Sequence, residues 1–226
     1  MDEKILHFFQ NTVLFYGMHA EETAAVLERL GTRQRSYARR EVIFRAGTCP
    51  DAIALVLSGS VCIEHDDAWG NKSVLDRVGP GQVFAESYAC APGEPMPVSA
   101  VAAEKSEVAF LHTRVLLQSA PEAATEKLIR NLLRISVQKN LNLSRKIFYT
   151  SSKSIRGRLQ SYLSDQVTRR GARTFDIPFD RQQLADYLGV DRSALSNELS
   201  KMQREGMLTV HKNHFCILAL EEQQIV

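Results

Sequence analysis

The chain has 226 residues, enough for one or two domains with a sizeable core. Hydrophobic residues make up 44% and charged residues 24%, an ordinary globular balance, and no run approaches the roughly 18 consecutive apolar residues of a membrane span. The net charge of +2 is too small to point to a polyanionic partner, so any basic surface has to come from the placement of side chains.

The N-terminus, MDEKILHFFQ, begins acidic and lacks the basic stretch and apolar run of a signal peptide, so a cytoplasmic location with no membrane contact is expected. The run EETAAVLERL predicts a short helix with Ala24, Leu27 and Leu30 inward. From about Arg33 to Leu117 the pattern changes to short β-rich runs between Gly, Pro and Asp signals: EVIFRAG, AIALVLSG, SVCIEH, KSVLDRVGPG, VSAVA and SEVAFLH. Regular short strands of this kind predict an antiparallel sandwich or roll. Cys49, Cys62, Cys90 and Cys216 are scattered without a CxxC pair, so neither a zinc site nor a thioredoxin-like motif is expected. Cys62, inside Val61-Cys62-Ile63, is expected to fill core volume.

One long helix is predicted from about Glu122 to Tyr149. Leu133, Val137, Leu141, Ser144 and Phe148 recur along one line, and Leu128, Leu132 and Ile135 form a second. So wide an apolar surface needs two covers, its own roll and the same helix of a second subunit. Leu133, Val137, Leu141 and Phe148 are therefore the dimerisation candidates; an ordinary core helix is the other reading. Thr150-Ser151-Ser152 looks like a hinge. A further helix from Ser154 to about Arg169 places Ile155, Leu159, Tyr162, Leu163 and Val167 toward the next core.

The segment from Asp180 to Leu218 reads DRQQLADYLGVDRSALSNELSKMQREGMLTVHKNHFCIL. Asp180 and Gln183 stand at capping-box positions, and Leu184, Ala185 and Leu188 form an apolar face. Gly189 suits a left-handed C-cap, Asp191 caps a second helix with Leu195, Leu199 and Met202 inward, and Gly206 ends it. Two short strands follow around His211 to His214. This is a winged helix-turn-helix. Its second helix keeps Arg192, Ser193, Ser196, Asn197 and Lys201 on one polar face. Arg192 and Asn197 are the candidates for base contact, because Arg pairs bidentately with guanine and Asn with adenine. Gln182, Ser196, Lys201, Lys212 and Asn213 are candidates for phosphate contact.

This block closely resembles the DNA-binding domain of the Crp/Fnr family of bacterial transcription regulators. A second resemblance lies upstream. Phe44-Arg45-Ala46-Gly47, Asp51, Leu57-Ser58-Gly59, Gly79-Pro80-Gly81 and Phe84-Ala85-Glu86 follow the order of the cyclic-nucleotide-binding roll, the sensor domain of that family. The resemblance implies an α+β protein: an N-terminal antiparallel β-roll (jelly roll) over 1–121, a dimerisation helix and hinge over 122–150, and a winged helix-turn-helix over 151–226. It implies a homodimer on double-stranded DNA with an inverted-repeat operator, RNA polymerase as a possible further partner, and no enzymatic activity.

The sensor pocket departs from its relatives. Members that bind cyclic AMP present a Gly-Glu pair and an Arg-Ser-Ala triplet. Here Ala85-Glu86 keeps only the Glu, and Val98-Ser99-Ala100 puts Val98 where the Arg pairs with the cyclic phosphate. The adenine-reading positions match Leu143 and Ser144, the first of them apolar. A small effector other than cyclic AMP is expected, near Glu86, Tyr88, Cys90, Val98 and Ser99; a collapsed pocket is the alternative. No cysteine precedes Cys49, so the family's N-terminal iron–sulfur cluster is not expected. Haem or redox sensing stays open, with His7, His19, His65 and His112 as axial candidates and Cys49–Cys90 as a redox pair. A metal-dependent jelly-roll enzyme is the rival class. It needs clustered His and carboxylate ligands, and His65 and His112 stand alone.

Overall fold

A computed structural model describes residues 3–66, 69, 72–114, 116 and 122–219. The expected domain edges at 1, 121 and 226 lie outside the described residues, as does Leu117. The chain divides into two compact units, 1–138 and 139–226. Among the described residues no helix is long and apolar enough to cross a membrane.

The first unit opens with α1 (Glu3–Gln10), a 3-10 turn (Val13–Phe15) and α2 (Ala20–Arg29). His19 and Glu22 close a capping box at the start of α2. Among the described residues eight strands follow: β1 (Arg33–Tyr37), β2 (Val42–Phe44), β3 (Ala52–Ser58), β4 (Val61–Asp66), β5 (Lys72–Val78), β6 (Val83–Phe84), β7 (Ser99–Ala102) and β8 (Ser106–His112), with the one-turn α3 (Glu86–Ala89) after β6. They form two antiparallel four-stranded sheets, ordered β1-β8-β3-β6 and β2-β7-β4-β5. Alternate residues of the first sheet serve two cores. Ile53, Leu55, Ala109 and Leu111 pack with Phe9, Phe15 and Leu27 of the helices. Ala54, Val56 and Val108 pack with Val61, Ala100 and Ala102 of the second sheet. Both faces of β3 are therefore covered, which is why AIALV is apolar throughout rather than alternating.

The α+β expectation and the roll hold. Cys62 corrects one detail: it is only half-buried. Along β4, Val61 and Ile63 point into the roll, so Cys62 between them points out. Strands β1 and β6 and helix α3 were not legible, being short or polar.

Helix α4 (Ala123–Thr150) begins in the first unit, where Leu128 and Leu132 are buried. Buried Asn131 donates its side-chain amide to the carbonyls of Leu14 (3.0 Å) and Tyr16 (2.8 Å), pinning the helix to the 3-10 turn. The Leu14 carbonyl belongs to a fully buried residue, where an unpaired acceptor would be costly.

Gly59, at the turn between β3 and β4, holds φ +75, and an added Cβ there would strike the Lys105 carbonyl and Ser106. The Ser106 hydroxyl bonds both the amide and the carbonyl of Ser60, so Ser106 has no room to retreat. Gly59→Ala is expected to cost about 3 kcal/mol. Thermal unfolding of the variant measures this; an unchanged midpoint would refute it.

The second unit contains the end of α4, then α5 (Ile155–Arg170), β9 (Thr174–Asp176), α6 (Arg181–Leu188), α7 (Arg192–Arg204), β10 (Leu208–His211) and β11 (His214–Ile217). Its sheet is ordered β10-β11-β9. Leu159, Tyr162 and Leu163 of α5 meet Leu184 and Leu188 of α6, Leu195, Leu199 and Met202 of α7, and Phe215 of β11. Tyr149, the last aromatic residue of α4, is buried in the same core.

Candidate nucleic-acid interface and sensor pocket

The helix-turn-helix is assembled by short-range bonds. The Asp180 carboxylate accepts from the Gln183 amide (2.8 Å), and the Gln183 side chain accepts from the Asp180 amide (2.8 Å). Gly189 takes φ 63 at the C-cap of α6. Asp191 accepts from the Ala194 amide (2.8 Å) and starts α7. Sequence reasoning missed the clamp on this turn. Arg158 of α5 donates to the carbonyls of Leu188 and Gly189, both at 2.9 Å, and to that of Ser152 at 2.9 Å. Its partners lie up to 31 residues away, beyond any local pattern.

With Leu195, Leu199 and Met202 inward, α7 exposes Arg192, Ser193, Asn197 and Lys201, with Ser196 partly covered. A cleft of ≈ 790 Å³ brings Gln182, Arg192, Lys212 and Asn213 together. Ser193, Ser196, Asn197 and Lys201 do not line it; they continue along the exposed face of the helix. Two candidates have internal work as well. The Gln182 amide donates to Asp186 (2.8 Å), and the Asn213 amide donates to the Ile177 carbonyl (3.0 Å). Lys212 sits at the wing tip with φ 55, so its ammonium is presented at the turn of the hairpin.

The cleft also contains Arg181, which the sequence did not single out. Burial, and then the neighbouring Arg192 charge, push the Arg181 guanidinium below its ordinary value. Two like charges held together in this way favour an anion between them. Its position at the first residue of α6 was the available signal.

Arg156 ties α5 to α7, pairing with Glu198 (2.6 Å) and Glu205 (2.8 Å). The Arg156 hydrogen bond holds the Glu205 carboxyl below its ordinary 4.5. Lys127 does the same for Glu22 in the first unit. Both carboxylates have lowered values in the folded state, so as pH falls the unfolded chain takes up protons first. Their contribution is complete above the ordinary 4.5 and is lost as pH falls through the folded values. Unfolding midpoints between about pH 6 and pH 3 should decline, and Arg156→Ala should flatten part of that decline.

In the roll, Glu86 is 5% exposed at the start of α3. Ala85 before it is held at φ 60, the left-handed region that favours glycine. Tyr88 and Val98 pack against the inter-sheet core together with Phe44 and Phe110. Ser99 accepts from the Ala46 amide (3.0 Å). Cys90 packs instead against the helix-side core, apart from Tyr88 and Val98. Burial, and then the Glu86 charge, push its thiol up, so it is a poor thiolate. Leu143 and Ser144 are exposed on α4. Among the haem candidates, His7, His19 and His65 are exposed and His112 lies 3.4 Å from Asp51. Among the described residues no group of three or more His, Cys, Asp or Glu is placed to hold a metal.

A roll followed by a winged helix-turn-helix with a polar outer helix defines a DNA-binding regulator with a sensor-type domain. Comparison with known proteins agrees. The cyclic nucleotide-binding domain family matches residues 34–120, and the Crp-like helix-turn-helix domain family matches residues 157–222. The cyclic AMP receptor protein of Thermus thermophilus is 26% identical over 198 residues, covering 86% of this chain and 87% of that protein. The transcriptional activator protein FnrL of Cereibacter sphaeroides is 22% identical over 210 residues, covering 87% and 80%. The solved structure of the c-di-GMP responsive global regulator CLP of Xanthomonas campestris has a TM-score of 0.51 at 24% identity, covering 87% of this chain and 100% of that one. The chain belongs to the Crp/Fnr family of transcription regulators.

Proposed function

We propose that the protein is a homodimeric regulator without enzymatic activity. It binds an inverted-repeat operator through α7 and responds to a small effector other than cyclic AMP. The carrying observation is the exposed polar face of α7, opposite its buried Leu195, Leu199 and Met202. Arg192 and Asn197 read bases. Gln182, Ser193, Ser196, Lys201, Lys212 and Asn213 hold the backbone, with Arg181 added to them. The roll over 1–121 is the sensor, 122–150 the dimerisation helix and hinge, and 151–226 the DNA-binding domain. RNA polymerase is the partner that an operator-bound dimer would recruit or exclude. Selection of bound DNA from a random pool tests this; an inverted repeat is expected, and a pool with no recurring sequence overturns it.

The effector reading rests on Val98, which lies in an apolar cluster with Phe44, Phe110 and Tyr88. A cyclic phosphate placed against it would lose its water without gaining the charge partner that an Arg supplies. Glu86, Tyr88, Cys90, Val98 and Ser99 would line a different ligand, with Leu143 and Ser144 contributed by α4, and Ser99 keeps its bond from the Ala46 amide. Calorimetry with cyclic AMP is expected to give no micromolar binding that Glu86→Ala weakens, and micromolar binding that Glu86→Ala weakens would overturn the reading.

A further inference from the structure

The second unit holds another cleft, of ≈ 320 Å³, between the last turns of α4, α5 and the segment leading into α6. Its walls are aromatic: Tyr149, Tyr162, Phe179 and Tyr187. Phe179 and Tyr187 lie 4.8 Å apart with their planes tilted by 30°. Tyr162 meets Tyr149 edge-on at 5.4 Å and Tyr187 at 5.9 Å. Tyr187 and Phe179 are only half-buried, so ring surface remains open to the cleft.

The polar lining is basic. Arg145, Arg169 and Arg170 line the cleft, and among the described residues no carboxylate does. Two of these guanidiniums have neutral partners: Arg145 donates to the Asn142 side-chain oxygen (3.2 Å) and Arg170 to that of Gln166 (3.3 Å). Arg169 has a charged partner, the Asp165 carboxylate, but only at 3.8 Å, and its Oδ2 already accepts from the Tyr149 hydroxyl at 2.5 Å. Lys146 adds a fourth cation 5.9 Å from the Tyr187 ring centre. A neutral amide is a weak partner for a guanidinium, and an incoming carboxylate or phosphate would bind it more strongly. The volume falls at the lower end of small-ligand sites, about 300–1,000 Å³.

We propose that this cleft binds a small organic anion carrying a flat ring, which stacks on Tyr187 and Phe179 while its acidic group pairs with Arg145 and Arg169 or Arg170. Aryl carboxylates and mononucleotides share this chemistry. The lining residues all belong to the second unit, and none of them is among the operator-contact residues named above. A ligand there bridges α4, α5 and α6 and so stiffens the base on which α7 stands.

Calorimetry and tyrosine fluorescence with 1-naphthoate and with AMP test this on the full-length protein. One of the two is expected to bind in the micromolar range, and which one does identifies the source of the anion. Uncharged 1-naphthalenemethanol and inorganic phosphate, each carrying half the chemistry, should bind at least about tenfold more weakly. Arg145→Gln and Tyr187→Ala should each weaken binding at least about tenfold, while Tyr187→Phe retains it. Arg145 is outside the core, so its variant serves even if Tyr187→Ala fails to fold. The proposal is overturned if neither anion binds below millimolar, or if Arg145→Gln binds as the parent does. Displacement of the ligand by DNA of any sequence would also overturn it, making the cleft a backbone contact.

Discussion

Arg192→Ala is expected to lower affinity for the cognate operator by about 1–3 kcal/mol, roughly ten- to hundredfold, and to relax base preference at one position of each half-site. Arg192 is exposed in the first turn of α7 and lines the cleft with Lys212. It supports no core contact, so the loss appears in recognition and not in folding. Lys212→Ala is the contrast: it should weaken binding to all sequences alike and shallow the salt dependence by about one unit. Binding isotherms on operator and scrambled DNA at several salt concentrations separate the two. A cognate affinity unchanged by Arg192→Ala removes α7 from the groove.

Leu141→Glu is expected to turn the dimer into monomers. Leu133, Val137, Leu141 and Phe148 are 62%, 48%, 44% and 60% exposed, although Leu128 and Leu132 on the same helix are 0% and 9% exposed. An apolar row left in water on a 28-residue helix is what a second copy of that helix would cover. Each protomer of the variant would carry an unpaired carboxylate into the seam, at a cost of several kcal/mol. Because Leu141 is exposed within its own subunit, the monomer should still fold. Sedimentation at micromolar concentration decides: a monomeric parent, or a variant that stays dimeric, ends the dimer reading. Two recognition helices in a symmetric dimer meet half-sites about 34 Å apart, so the monomeric variant should also lose most of its operator affinity.

The helix-turn-helix was legible in the sequence because its bonds are local. The Asp180–Gln183 capping box, the left-handed Gly189 and the Asp191 cap each join residues within about one turn, and each uses a residue type that few others can replace. The two apolar lines of α4 were legible for the same reason, since helical spacing sorts side chains before any partner arrives. Tertiary structure decided what depends on distant chain. Strand β9 has only Thr174, Phe175 and Asp176, too few for a period, and exists by pairing with β11. Cys62 faces outward because of the register of β4, not because of its composition. The Arg158 clamp joins α5 to carbonyls about thirty residues on, and the closeness of Arg181 to Arg192 arises only when α6 and α7 cross. Side-chain bonds to backbone carbonyls and the meeting of like charges leave no periodic trace, because neither constrains the residues adjacent in sequence.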